Sequence, residues 1–339
     1  MSERYSRQER FTPIGEAGQK LISEKHALVV GAGALGSANC EMLVREGIGK
    51  LTIIDRDYVE ESNLQRQQLY SEEDVQMQLP KAEAAQRHLR KINSNVVIEA
   101  IVADGDPESL EPLVQDADLV IDATDNFETR MIINDLSQKY RVPWIYGACV
   151  GSSGMTFTIL PGKTPCLNCL LSALPIQGMT CDTNGIIAPT VSMVVAHQNA
   201  EALKILAEQW SAVRTGFISF DIWNNQYHMI KAAKMKKDGC PSCGENPDYP
   251  FLLRENRTKT AVLCGRETVQ IRPPAQSNLD LEKLASDIRR IGYEVKANPF
   301  LLSMENKDER MVIFRDGRAL VHHTKDEAKA KALYQRILG

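Results

Sequence analysis

Four of the eight cysteines occur as two Cys-x-x-Cys pairs, Cys166 with Cys169 and Cys240 with Cys243. Two such turns supply four thiolates, the ligand set of tetrahedral Zn²⁺, and a site with four protein ligands keeps no open position for catalysis. A redox disulfide in either pair or an iron–sulfur cluster would use the same residues, but neither pair lies in a thioredoxin-like setting. The spacing therefore favours a structural zinc site that ties two distant parts of the chain together.

A second candidate site begins at Gly31-x-Gly33-x-x-Gly36, which follows an apolar run and opens a helical one. Glycines at this spacing let the backbone approach phosphate, and the amino end of the following helix favours anions. Asp55, at the end of the next apolar run, is placed to accept hydrogen bonds from ribose hydroxyls. The pattern indicates a nucleotide site without naming the nucleotide. Taken alone it suits an NAD-dependent dehydrogenase, and glycines that only allow tight helix–strand packing are the plainer alternative.

The residues after Asp55 favour a triphosphate over a dinucleotide. Arg66 and Lys81 flank a loop beside the predicted crevice, and both suit the negative charge of ATP. Asn63 can donate to a phosphate oxygen. Asp125 follows a strand at the carboxyl edge of the predicted sheet, where ligands bind in open α/β folds, and a carboxylate there suits Mg²⁺. The alternative is that Asp125 caps the helix that follows it.

Alternating strand and helix patterns position these residues. The strand patterns cover residues 27–30, 50–55, 96–100, 119–122 and 143–148, and the clearest helical patterns cover 81–92, 127–140 and 188–206. The alternation predicts a Rossmann-like, doubly wound α/β fold with a mostly parallel sheet covered on both faces. Beyond residue 151, strand patterns at 155–160, 217–220 and 227–230 predict an antiparallel extension, with 155–160 alternating like an exposed strand.

A segment rich in glycine, proline, asparagine and charge divides the chain. We predict a catalytic domain over residues 1–244, a linker over 245–259 and a small α+β domain over 260–339, which is long enough to fold alone.

Composition narrows the classes of function. The 339 residues carry a formal net charge of −4, which disfavours a nucleic-acid-binding surface. No apolar run approaches the roughly 20 residues that span a bilayer, and the polar, mixed-charge beginning is unlike a signal peptide. We expect a cytoplasmic protein with no membrane or nucleic-acid partner, in which cysteines stay reduced.

Three motifs resemble a known family. They are Asn63-Leu64-Gln65-Arg66-Gln67, Thr124-Asp125-Asn126 and the opening Arg4-Tyr5-Ser6-Arg7-Gln8. In this order and spacing they resemble the MoeB/ThiF family, bacterial relatives of the adenylation domain of ubiquitin-activating enzymes, from the N-terminus to about residue 244. The resemblance implies roles by position: ribose for Asp55, phosphates for Asn63, Arg66 and Lys81, Mg²⁺ for Asp125, and zinc for the two cysteine pairs.

Two further roles rest on the resemblance. Arg7 would reach from the partner subunit into the ATP site, which implies a homodimer. Cys181, in a polar, turn-rich segment, matches the cysteine that ThiF-like and ubiquitin-activating proteins use for covalent sulfur or thioester links. In MoeB-like members that cysteine is dispensable for adenylation, so the resemblance leaves the role of Cys181 open.

The resemblance also implies a reaction. The C-terminal Gly-Gly carboxylate of a ubiquitin-like sulfur-carrier protein would attack the α-phosphate of Mg·ATP, releasing pyrophosphate, and a cysteine desulfurase or other persulfide donor would then convert the acyl-adenylate into a thiocarboxylate. The carrier would be MoaD-like, from molybdopterin synthase, or ThiS-like, from the thiamine pathway, and the residues do not choose between them. An NAD-dependent oxidoreductase and a non-catalytic carrier-binding scaffold are the alternatives from other classes.

Short family members end soon after the second cysteine pair, whereas this chain continues. Some relatives add a rhodanese domain, whose active cysteine comes late in the domain at a loop closed by arginine. Cys264 instead lies near the start of the added segment. We therefore expect a docking or dimer-supporting module in which Cys264 is inert.

Overall fold

The computed structural model describes residues 3–173, 185–253, 260–262 (backbone only), 267–273 and 278–338. It comprises two compact units, Met1–Gln76 with Pro80–Asn256, and Met77–Leu79 with Arg257–Gly339. Cys181, Cys264 and residues 254–259 of the predicted linker lie outside the described residues. Among the helices described, none combines the length and apolarity needed to cross a membrane.

The first unit is built on an eight-stranded sheet in the order β3-β2-β1-β4-β5-β6-β7-β8. The strands are β1 His26–Val30, β2 Lys50–Asp55, β3 Val97–Val102, β4 Leu119–Asp122, β5 Trp144–Val150, β6 Ser153–Ile159, β7 Gly216–Asp221 and β8 Gln226–Lys231. Strands β1 to β5 pair in parallel, and β5 to β8 pair antiparallel. The predicted parallel sheet with an antiparallel extension is confirmed.

Helices cover both faces of this sheet, and as a result β1 and β4 are wholly buried. They are α1 Ser6–Glu9, α2 Gly15–Glu24, α3 Ala34–Glu46, α4 Glu72–Gln76, α5 Lys81–Ile92, α6 Pro107–Asp116, α7 Phe127–Tyr140, α8 Leu167–Leu171 and α9 Ala188–Leu206. Helices α6 and α7 complete one core with the central strands. Helix α9 packs against α3, β5 and β6.

Strand β6 is not the exposed strand that its alternating pattern predicted. Phe157 and Ile159 are fully buried in the core shared with α7, while Thr156 and Thr158 are fully buried on the opposite face. The alternation between apolar and hydroxyl side chains therefore distinguishes two buried faces rather than an inner and an outer one. The exposed strand is β8, at the edge of the sheet.

The second unit is a six-stranded antiparallel sheet in the order β11-β12-β13-β14-β10-β9. Its strands are β9 Thr260–Val262, β10 Thr268–Ile271, β11 Glu294–Ala297, β12 Leu301–Glu305, β13 Arg310–Phe314 and β14 Ala319–His322, and its helices are α10 Leu281–Arg290 and α11 Glu327–Leu338. Residues from both helices, including Ile288 and Leu333, close one apolar core with Leu302 and Met311. The unit is the α+β domain that the sequence predicted.

Candidate active site and metal centre

The predicted nucleotide residues meet where β1, β2 and β4 end. Strand β1 lies between the other two: the chain runs outward from β1 to β2 and β3 and then crosses back to β4 on the other side of β1. In open α/β sheets this reversal of strand order opens a crevice at the carboxyl edge, where ligands bind. The glycine loop, Asp55 and the loop after Asp122 all belong to this edge.

Glycine occupies each of the three positions of the loop for a different physical reason. Gly31 has φ +96°, and a Cβ there would lie 2.6 Å from the carbonyl oxygen of Ala123, while a Cβ on Gly36 would lie 1.8 Å from the carbonyl oxygen of Gly31. The packing of the chain therefore requires glycine at positions 31 and 36. Within 4 Å of a Cβ on Gly33, the described residues place only Gln67 Nε2, at 3.8 Å. Gly33 precedes α3, and no side chain of the described residues caps this helix end, whose amide groups are therefore suited to binding an anion.

Asp55 braces this loop from β2. Its two carboxylate oxygens accept hydrogen bonds from the backbone N–H groups of Ala32 and Asp57, each at 2.6 Å. Burial raises the pKa of Asp55, while the positive charge of Lys81 opposes that rise. Each oxygen keeps acceptor capacity for a ribose hydroxyl.

Lys81 is the first residue of α5 and is buried beside the same edge. Its Nζ lies 3.3 Å from Oδ2 of Asp57. The Tyr70 hydroxyl lies within hydrogen-bond distance of the carbonyl oxygens of Ala32 (2.6 Å) and Lys81 (3.2 Å), so it joins the glycine loop to α5. Asp57 and Tyr70 were not singled out from the sequence, where each is one polar residue in a polar loop.

Asn63 and Arg66 shape the loop between β2 and α5. Asn63 is buried, and its Oδ1 accepts a hydrogen bond from the N–H of Glu60 at 3.3 Å. Arg66 is half-buried and donates from Nη1 to the carbonyl oxygen of Ser62 at 3.0 Å. Both side chains therefore make contacts within their own loop, which fix its conformation next to Lys81.

Asp125 is exposed at the carboxyl edge, and Asn126 caps α7 by accepting a hydrogen bond from the N–H of Glu128 at 2.9 Å. The alternative in which Asp125 is the helix cap is therefore wrong. Its carboxylate is not needed to start the helix and is suitably placed for a cation.

Arg130 holds the loop that carries Asp125. It donates from Nε to the fully buried carboxylate of Asp122 at 3.0 Å and from Nη2 to the carbonyl oxygen of Thr124 at 2.5 Å. Burial raises the pKa of Asp122, and the Arg130 charge opposes that rise. In the sequence Arg130 resembles a solvated charge on a helix, because only the fold buries it beside Asp122.

Arg7 lies away from the residues that meet at the carboxyl edge of the sheet. Its neighbour Gln8 donates to Oε1 of Gln19 at 2.6 Å and to the carbonyl oxygen of Glu46 at 3.1 Å, which fastens α1 to the carboxyl end of α3. The glycine loop lies at the other end of this helix of 13 residues, about 18 Å away at 1.5 Å per residue. The structure does not bring the exposed Arg7 to the nucleotide edge of its own chain.

The two cysteine pairs do come together. The four Sγ atoms of Cys166, Cys169, Cys240 and Cys243 lie within 4.8 Å of one another, and the Cys166–Cys240 and Cys169–Cys243 distances are both 3.6 Å. A tetrahedral Zn²⁺ with Zn–S bonds of about 2.3 Å places its sulfurs about 3.8 Å apart. The donor set and its spacing therefore fit Zn²⁺ in a closed, structural site.

Comparisons with known proteins agree with this geometry. Residues 5–242 match the model of the ThiF family. The chain belongs to the ThiF family. It is 55% identical over 340 residues to the sulfur carrier protein ThiS adenylyltransferase of Bacillus subtilis, covering 100% of both chains. It is 34% identical to the molybdopterin-synthase adenylyltransferase of Escherichia coli, over 71% of this chain and 96% of that one. The crystal structure of E. coli MccB shares the fold, with a TM-score of 0.62 at 22% identity over 73% of this chain and 74% of that chain.

Membership of the ThiF family confirms the resemblance carried by the three motifs. The matched residues end before the Arg257–Gly339 part of the second unit. His197, on α9, packs between the rings of Phe220 and Tyr227, with ring centroids 6.2 and 5.9 Å away. Burial and the charge of Arg214 lower the pKa of His197, which favours its neutral ring.

Proposed function

We propose that this chain uses ATP to adenylate the C-terminal carboxylate of a ubiquitin-like sulfur-carrier protein. The observation that carries the proposal is the opening before α3: Gly33 is not required by packing, and it lies at a free helix amino end between Asp55 and the Asp125 loop. The B. subtilis and E. coli relatives are named as adenylyltransferases of this substrate class.

The chemistry requires positioning and charge neutralisation more than acid–base catalysis. The attacking carboxylate is already anionic, so no general base is needed. Its attack on the α-phosphate releases pyrophosphate and forms a mixed anhydride with AMP. We assign ribose binding to Asp55 and phosphate binding to Asn63, Arg66, Lys81 and the amino end of α3. A Mg²⁺ ion held by Asp125 would neutralise phosphate charge.

We propose that Arg7 completes the site of a second copy, which makes the functional species a homodimer. The attachment of α1 at the far end of α3 supports this arrangement, since it holds Arg7 away from the nucleotide edge of its own chain. An arginine from a partner can supply positive charge to a phosphate without occupying space in the resting site.

We propose a ThiS-like carrier. The full-length similarity to the ThiS adenylyltransferase, at 55% identity, supports this choice over the MoaD-like carrier, whose activating enzyme is 34% identical over 71% of this chain. A MoaD-like carrier is the second candidate. A cysteine desulfurase or other persulfide donor would supply the sulfur, with Cys181 as its candidate acceptor. The 260–339 domain, which the B. subtilis relative shares, would serve docking or dimer support.

The carrier's docking surface, we propose, is the edge strand β8 and the turn before it. Trp223, Tyr227 and Met229 are 75%, 49% and 67% exposed there. Exposed apolar side chains on an edge strand mark a binding surface, because the strand also offers unpaired backbone groups. From this edge an extended carrier tail would follow the antiparallel strands toward the nucleotide.

ATP–pyrophosphate exchange tests the proposal. Zinc-loaded protein with Mg²⁺ is given purified ThiS-like and MoaD-like carriers in separate reactions, beside an Asp125→Ala control. We expect exchange with the ThiS-like carrier that is lost in the control. Exchange with the MoaD-like carrier alone would overturn the carrier assignment. If neither carrier supports exchange, two other results distinguish the alternatives. A change in nicotinamide absorbance with candidate substrates would favour an NAD-dependent oxidoreductase. Carrier binding without ATP turnover would favour a non-catalytic carrier-binding scaffold.

A further inference from the structure

One turn of α7 interacts with both Cys-x-x-Cys turns. Asn134 accepts through Oδ1 the N–H of Leu167 at 2.8 Å, and Leu167 directly follows the first cysteine of one pair. The hydroxyl of Ser242, which lies between the two cysteines of the other pair, acts on the carboxylate of Asp135 and opposes the rise in its pKa that burial causes. The two adjacent residues therefore contact the two halves of the metal centre separately.

These contacts are buried and mutually supporting. Asn134, Asp135 and Ser242 are all 0% exposed. Asn134 donates from Nδ2 to Oδ1 of Asp135 at 3.3 Å, and Oδ2 of Asp135 accepts the N–H of Phe251 at 3.0 Å. Burial raises the pKa of Asp135, and these donors act against that rise. A buried polar group without its partner costs free energy, so the network tolerates little displacement of α7 relative to the cysteines.

The same helix holds the nucleotide edge. Arg130 is four residues before Asn134, so it lies one turn away on the same side of α7, about 6 Å along the axis. It bonds Asp122 and the carbonyl oxygen of Thr124, and so fixes the loop that presents Asp125. A shift of α7 at the metal centre would therefore move Arg130 and the loop together.

We propose that Asn134 and Asp135 are positioning residues that couple the metal centre to nucleotide binding. With zinc bound, the cysteine pairs hold α7 in the register in which Arg130 orders the Asp125 loop. Because coupling between two sites is reciprocal, Mg·ATP should also tighten metal binding. The inference rests on the proposed ATP site, and it adds a dependence of that site on a metal that takes no part in the reaction.

The test measures metal release. Zinc-loaded full-length protein is mixed with an excess of chromogenic chelator, with and without Mg²⁺ and a non-hydrolysable ATP analogue whose binding is measured separately. We expect the analogue to slow zinc release by about 5-fold or more. In Asp135→Asn the ratio of the two rates should approach one, although the variant keeps the side-chain shape.

Two further variants make the result specific. Ser242→Ala removes only the hydroxyl from the other side of the same contact, and it should also bring the ratio toward one if Asp135→Asn does not fold. Lys139→Gln, on the same helix, removes an exposed ion pair with Glu111 (2.6 Å) away from the cysteines, and it should keep the ratio of the parent protein.

The outcomes separate the two proposals. An analogue that binds the parent protein and leaves zinc release unchanged overturns the coupling and leaves the proposed function intact. If Asp135→Asn and Ser242→Ala both keep the parent protein's ratio of zinc-release rates, Asp135 does not transmit the coupling, and the role proposed for it is overturned. An analogue that does not bind the parent protein at all overturns the proposed ATP site itself.

Discussion

Replacing Gly33 with alanine adds one methyl group where the folded chain has room for it. The added Cβ would meet Gln67 Nε2 at 3.8 Å, an ordinary contact, and the backbone φ of −75° is not left-handed. The free energy of unfolding should therefore change by less than about 1 kcal/mol. For a unit of this size the Tm should move by at most about 4 °C.

In the proposed ATP site, the same methyl group stands where a phosphate would approach the backbone. We expect the affinity of Gly33→Ala for Mg·ATP to fall by about tenfold or more, which is about 1.4 kcal/mol of binding free energy. Isothermal titration measures the affinity, and scanning calorimetry in the same buffer measures the Tm.

Gly36→Ala is the matched control within the same loop. Its Cβ would lie 1.8 Å from the carbonyl oxygen of Gly31, so backbone must move. Such overpacking costs roughly 1–3 kcal/mol or more, so this variant should lose both stability and ATP binding. Unchanged ATP affinity in Gly33→Ala, or a loss of Tm in Gly33→Ala as large as in Gly36→Ala, would refute the assignment of Gly33 to the ligand.

Three other changes test the remaining parts of the site. Lys81→Met removes a buried cation from the phosphate side and should lower carrier-dependent ATP–pyrophosphate exchange by about 100-fold or more. Equal mixing of Arg7→Ala and Asp125→Ala subunits, each inactive alone, should restore about one quarter of the exchange, since half of the dimers then hold one complete site; no recovery would mean that Arg7 acts within its own chain. Burial raises the pKa of Glu46 from 4.5 to about 8. A raised carboxyl pKa means that the folded state holds the proton more tightly, so stability should fall between about pH 4.5 and 8, by at most roughly 5 kcal/mol. Glu46→Gln should flatten that dependence in urea titrations.

The alternating strands and helices of the first unit could be predicted because the local sequence pattern and the tertiary packing favour the same elements. Helices α5, α7 and α9 have the bounds that their patterns indicated, since Pro80, Asn126 and Pro189 mark where each begins. Strands β1, β2 and β4 are apolar runs that a parallel sheet buries on both faces. The nucleotide loop follows from these elements, because its glycines sit between a strand and a helix.

The burial of β6 could not be predicted in this way. An alternation of threonine with apolar residues is equally typical of a half-exposed strand and of a strand covered on both sides. Thr156 and Thr158 lie on the face that α9 covers. Only the position of α9, which is set by the topology of the whole unit, decides between the two.

Residues that touch a ligand and residues that hold them in place leave different traces in a sequence. Gly33 and Asp55 lie at set intervals along one βαβ unit, so a sequence motif identifies both of them. Arg130 reaches Asp122 and the carbonyl oxygen of Gly147, and Gln198 reaches the carbonyl oxygen of Asp122 from another helix. Gln198 is 76 residues from Asp122, and no motif in the sequence records its contact or those of Arg130. Substitutions at such positions should therefore alter nucleotide binding through the Asp122 loop while the sequence motifs of the site stay intact.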